Sequence, residues 1–198
     1  MEGLHMTYTL EQLLAMVIVV SFLGFCLENV WILFRHGFID NRNMRLPFLT
    51  GYGLTVLGFY ELADIPTEEN QREYFAFAFL IVSAGEIAMG KVTEWAMHIY
   101  YWDYSSIPLH ITRYTSIPTS LGFAAIIVLF MKYGFTAVMA KIAMLPAKLL
   151  RLTRLIMVVL LYDMMHCYRI MYRTRSHYVV WKYTLPWRRN EVEEKRAQ

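Results

Sequence analysis

The sequence predicts an all-α fold: a polytopic membrane helical bundle of about five transmembrane helices, followed by a basic C-terminal segment. Three observations carry this. Of 198 residues, 57% are hydrophobic and only 18% charged, where a soluble domain carries about 25% charged residues. The mean hydropathy is +0.35. Long apolar runs recur along the chain, beginning with "LEQLLAMVIVVSFLGFCLENVWILF" at 10–34, which exceeds the roughly 20 residues a helix needs to cross a bilayer.

The elements follow in order. The first run has Glu11 and Glu28 as its formal charges and predicts a crossing helix. No Lys or Arg precedes Arg35, so this run reads as a retained anchor and not as a cleaved signal. After the polar hinge "RHGFIDNRNMR", residues 46–63 predict a shorter second crossing, whose Gly51, Gly53 and Gly58 would let a neighbouring helix approach closely. An acidic connector leads to a third crossing at about residues 74–101, and the loop "WDYSSIPLHITRYTSIP" follows with its turn-forming serines and prolines. A fourth crossing, at about 118–140, starts at Pro118 and is interrupted by Lys132 and Gly134. From Pro146 to Arg173 two readings stay open. Lys148, Arg151, Asp163, His166, Arg169 and Arg173 share one side, as in an amphipathic interfacial helix. Residues 155–162, "LIMVVLLY", are apolar all round, as in a fifth crossing, which is the preferred reading. The chain thus divides into a four-helix transmembrane core (1–145), a fifth transmembrane or interfacial helix (146–175) and a basic, partly disordered tail (176–198).

Charge sets the expected orientation. Eight of the nineteen Lys and Arg residues lie from Arg169 onward. Because cytoplasmic loops carry the Lys and Arg excess, five crossings put the N-terminus outside and the C-terminus in the cytoplasm. Lys141, Lys148, Arg151 and Arg154 oppose that orientation. The aromatic and basic "YVVWKYTLPWRR" predicts an anchor to anionic lipid, and the adjacent crossings account for these basic residues without nucleic acid. Cys26 and Cys167 have no redox or metal spacing and read as small buried hydrophobes. The histidines lack ligand spacing, so no metal or cofactor is expected. No P-loop, GxSxG or dinucleotide pattern occurs, so ATP hydrolysis would need a separate ATPase. No catalytic residue is assigned.

Ionisable residues inside a crossing are costly and mark either a polar network or a pathway. At 100° per residue, Ser83, Glu86, Gly90, Lys91, Glu94 and His98 fall within a sector of about 140°. Glu28 continues a thinner stripe with Ser21, Gly24 and Arg35 on the first crossing. Lys91 is the expected cross-helix partner of Glu28, and a proton, a bound cation, His98 or an arginine from "NRNMR" would balance the remaining carboxylates. Glu28, Glu86, Lys91, Glu94 and His98 are therefore the candidate substrate or ion pathway. Asp103 and Tyr104 are expected to cap the third helix, with Trp102 at headgroup depth.

Three blocks, "SFLGFCLENVW", "NRNMRLPFLTGYG" and "EIAMGKVTEWAMHIYYWDYS", resemble the ABC-transporter type IV permease family of bacterial membrane proteins, which has transmembrane protein 229 among its vertebrate relatives. The family's Gly-x-x-x-Glu is matched by Gly24 and Glu28. Its next block is approximated by Asn41, Arg42, Pro47, Tyr52 and Gly53, although the Gly-Pro pair before Tyr-Gly is missing. Its third-span glutamates and closing Trp-Asp-Tyr-Ser are matched by Glu86, Glu94, Trp102, Asp103, Tyr104 and Ser105. The resemblance covers about residues 20–125 and implies transport. The expected function is that of a permease-like membrane protein or a subunit of a transport complex. A lipid-modifying enzyme using Glu94 and His98 as acid and base, and a membrane scaffold, are the alternatives.

Overall fold

The computed structural model describes residues 8–185. In chain order its helices are α1 (Leu10–His36), α2 (Thr50–Ala63), α3 (Gln71–Met97), α4 (Ile117–Leu129), α5 (Phe135–Ala143) and α6 (Ala147–Thr174). A π-helical turn at Phe130–Gly134 joins α4 to α5, so Lys132 and Gly134 sit within a continuous helix and do not interrupt it. The helices α1, α3, α4–α5 and α6 are each long and apolar enough to cross a bilayer. The strands are short: β1 (Phe38–Asp40), β2 (His110–Thr112), β3 (Thr115–Ser116) and β4 (Lys182–Thr184), with β1 antiparallel to β4 and β2 antiparallel to β3.

The ends of α1 are set by local chemistry. Thr9 and Gln12 form a capping box, each side chain accepting from the other's backbone N–H. At the other end Gly37 takes the left-handed conformation (φ 74°) and its N–H closes on the Leu33 carbonyl at 2.9 Å.

The helix expected as a shorter second crossing over residues 46–63 is shorter still. α2 has 14 residues, about 21 Å at 1.5 Å per residue, short of the roughly 30 Å hydrocarbon core. It runs antiparallel to the first half of α1. Leu49 N–H donates to the Ser21 carbonyl at 3.0 Å, Gly53 lies on Val17, and the Tyr60 ring sits 5.8 Å from that of Tyr8. The segment 37–49 must therefore return from the end of α1 to its middle in non-helical backbone. Such backbone is tolerated at membrane depth only where protein supplies its hydrogen bonds.

The "NRN" hinge and its neighbours supply them. Asn29 Oδ1 accepts from Asp40 N–H at 2.9 Å, and Asn41 Nδ2 donates to the Met44 and Tyr178 carbonyls at 2.9 and 2.8 Å. Asp163, buried on α6, accepts from Leu46 N–H at 3.1 Å. Arg42 and Asn43 turn the chain with φ of 46° and 62°. Residues 178–185 strap over this segment: Asn41 Oδ1 and Asn43 Oδ1 accept from Val180 and Tyr178 N–H, and β4 pairs with β1.

The remaining helices alternate between the two ends of the bundle. Near the start of α3, Gln71 and Glu68 both hold the Lys132 ammonium, at 2.6 and 2.7 Å. Early in α6, Arg154 pairs with Glu11, and just past its other end Arg175 donates to the Ala96 carbonyl. The α6 helix thus runs along the bundle and buries Asp163 and Cys167. Cys26, in contrast to its sequence reading, is exposed. Of the three glycines expected to admit a neighbour, only Gly53 does; Gly51 and Gly58 face open space. The mixed-charge tail from residue 186 lies outside the described residues.

Candidate functional site

A cavity of about 620 Å³ lies between α1–α2 and α3–α4, roofed by the loop after α3. Its walls are apolar, with Leu23, Ile81 and Ile126 left 46%, 43% and 44% exposed. The charged groups gather at one end, around Glu28, Arg42 and Glu86, with Tyr52 and Tyr104 beside them.

Each reaches that end for a local reason. Gly24 on α1 has no side chain, so the Tyr52 ring rests on its Cα and the phenol donates to Glu28 Oε1 at 2.5 Å. The left-handed turn at Arg42 and Asn43 brings the guanidinium back over α1. Its Nη2 lies 3.5 Å from Glu28 Oε2 and its Nη1 3.4 Å from Asp40 Oδ1, and all three side chains are at least three-quarters buried. Across the cavity, Glu86 Oε2 accepts from Thr115 Oγ1 at 2.6 Å and Ser120 Oγ at 3.2 Å. The Tyr104 hydroxyl also reaches Glu86. Burial, then the charges of Glu86 and Glu28, push the Tyr104 phenol well up, which keeps it a neutral donor.

The predicted stripe on α3 is real but narrower than expected. Glu86 and Glu94 face the bundle, where the Tyr114 ring packs on Gly90 and its hydroxyl bonds Glu94. Lys91 lies beyond the covered edge: it is exposed and makes no ion pair among the described residues. The expected Glu28–Lys91 pair is therefore replaced by Glu28–Arg42, the arginine coming from the "NRNMR" hinge. His98 is exposed at the left-handed C-cap of α3, where its N–H bonds the Glu94 carbonyl at 2.8 Å. His98 thus takes the capping position expected of Asp103 and Tyr104.

The Trp-Asp-Tyr-Ser loop has three separate tasks. Trp102 Nε1 donates to the Tyr114 carbonyl at 2.7 Å, and Tyr104 turns inward to Glu86. Asp103 stays exposed and accepts from Ser105 N–H and Oγ at 2.8 and 2.5 Å. The Ser105 bonds hold its carboxyl below the usual carboxylate range. Sequence reasoning missed Thr115, Ser120 and Asp163, because their partners lie 29, 34 and 117 residues away. Among the described residues, no group of three or more His, Cys, Asp or Glu side chains is placed to hold a metal.

Glu28, Arg42, Tyr52, Glu86 and Tyr104, which meet at this cavity, all come from the three blocks singled out in the sequence. A family profile described as "Putative ABC-transporter type IV" matches residues 15–168, more than half of the chain. The chain belongs to this family. It is a multi-pass membrane protein with the transport link that the family name carries. The matched range holds every polar residue of the cavity, from Glu28 to Tyr168. No curated protein and no solved structure matches.

Proposed function

We propose that this chain is a permease-like membrane protein, or the membrane subunit of a transport complex, with the Glu28–Arg42–Tyr52–Glu86–Tyr104 end of the cavity as its substrate site. One observation carries the reading: charged groups from α1, α3 and a non-helical hinge converge on a cavity that helix packing leaves unfilled. A polar network whose task was only to fix helix register would sit at a tightly packed contact. Here Arg42, which lines the cavity, has its Nε buried without a hydrogen-bond partner among the described residues. Any coupling to ATP would come from a separate ATPase, because the chain has no P-loop pattern.

The test is uptake from a cell extract into proteoliposomes, read by mass spectrometry of the lumen. Wild type is expected to accumulate at least one compound over protein-free vesicles, and E86Q and E28Q to lose most of that uptake while inserting normally. Variants that insert and transport like wild type would remove the site from the pathway. If wild type alone is inert and a co-purifying ATPase does not restore uptake, the transport reading itself is lost.

The orientation proposed is N-terminus outside and C-terminus cytoplasmic, supported by the eight basic residues from Arg169 onward. Arg173, Arg175 and Lys182 are exposed at that end, where anionic headgroups would meet them. Single cysteines at Thr67 and Ser176 on a cysteine-free background give the check. In intact cells a membrane-impermeant maleimide should label the first and not the second; the reverse pattern would invert the topology.

A further inference from the structure

The chemistry of the cavity narrows the class of ligand, an inference that rests on the transport-site reading above. Its walls (Leu23, Ile81 and Ile126) lie on helices long and apolar enough to cross a bilayer and offer an acyl chain apolar surface, while its charged lining is confined to Glu28, Arg42 and Glu86. That lining is short of positive charge. Glu28 and Asp40 share a single guanidinium, at 3.5 and 3.4 Å, and Glu86 is met by hydroxyls with no cation among the described residues. An anionic head would face two carboxylates, and an uncharged one would leave them unbalanced. Arg42 Nε–H, also buried there, has no acceptor among the described residues. It is a donor awaiting an oxygen.

We propose that the cavity binds an amphiphile whose head carries a primary ammonium beside an acceptor oxygen. The ammonium lies between Glu28 and Glu86, the oxygen accepts from Arg42 Nε–H, and the chain runs along the apolar walls. An ammonium has three N–H donors and no acceptor, which suits two carboxylates and the Tyr104 oxygen. Charge-assisted bonds of this kind are roughly twice as strong as neutral ones.

The test uses the full chain in phosphatidylcholine nanodiscs and three photoreactive probes of matched chain length: an alkyl amino alcohol, an alkyl sulfate and an alkyl maltoside. Labelled peptides are mapped by mass spectrometry. The amino alcohol is expected to label α1 and α3 at least about tenfold more than the sulfate. E86Q should reduce its labelling by about tenfold, E86D should keep most of it, and I126W, which fills the wall, should block it. Equal labelling by the sulfate or maltoside, or an E86Q protein that binds the amine like wild type, would overturn the ammonium head. That result would leave the transport site standing as long as E86Q still abolishes uptake. If no probe labels the cavity while wild type transports, the amphiphile inference falls alone. Should E86Q fail to fold, the three-probe comparison on wild type decides by itself.

Discussion

Replacing Gly53 with leucine is expected to leave no stable α1–α2 pair. A Cβ at this position would strike the Val17 carbonyl oxygen and the Ser21 hydroxyl. The carbonyl is part of the α1 backbone and cannot rotate aside as a side-chain tip can. Overpacking in a filled interior costs about 1–3 kcal/mol, and a full leucine against backbone belongs at or above the top of that range. The loss should spread, because the first residues of α2 carry Tyr52 to Glu28 and its later ones carry Tyr60 to the stack on Phe135, with ring centroids 4.9 Å apart. Thermal unfolding in detergent should show G53L as largely aggregated or melting far below wild type, with G53A intermediate. G58L is the control, since nothing lies within 4 Å of a Cβ there. A G53L protein that is monodisperse and melts like wild type would mean that α2 does not pack on α1 as described.

Gly53 also illustrates what the sequence could and could not disclose. Small residues in an apolar run announced a close helix contact, but one glycine in three makes it, because the contact depends on where α2 starts along α1. That start was hidden. Residues 46–63 are as apolar as a crossing helix, and hydropathy does not register that Leu46–Leu49 are still non-helical backbone held by Asp163 and Ser21. Four helices long and apolar enough to cross were legible, whereas the composite nature of the second segment was not. The same holds at the site. Helical periodicity placed Glu86 and Glu94 on one face of α3, since a period of 3.6 is local. It could not place the edge of that face, which is drawn by what covers it, so Lys91 was drawn into the cluster and falls outside. Glu28 was recognisable as a buried acid needing a cation. Lys91 was its expected partner, and Arg42 takes that place because it reaches Glu28 only through a left-handed turn that the sequence does not announce. Thr115 and Ser120 gave no signal at all, because a long loop must close before their hydroxyls meet Glu86.

Arg42 is the residue whose loss should be felt most at the site itself. Its guanidinium is the cation that Glu28 and Asp40 share, and the three side chains are 19%, 21% and 13% exposed. Breaking a buried pair by removing one partner costs about 3–5 kcal/mol, because the other charge stays behind unbalanced. With about a fifth of the Arg42 and Glu28 side chains still reachable by water, R42Q is expected to cost about 3 kcal/mol. Glu28 would be left facing Glu86 across the cavity with only the Tyr52 hydroxyl for support. Removing the stranded charge should then restore much of the loss. E28Q/R42Q is expected to be more stable than R42Q, with a coupling of about 1–3 kcal/mol in a double-mutant cycle. R45Q is the control: Arg45 is exposed on the same hinge, and exposed substitutions usually stay within about 0.5 kcal/mol. Unfolding free energies in mixed micelles are to be measured for wild type, E28Q, R42Q, E28Q/R42Q and R45Q. A double variant no better than R42Q would mean that Arg42 acts on the hinge backbone and not on Glu28. The cycle also separates stability from function, because E28Q/R42Q keeps the bundle intact while removing both charges from one side of the cavity. Such a protein should fold and fail to transport, whereas a purely architectural Arg42–Glu28 pair predicts a double variant that does both.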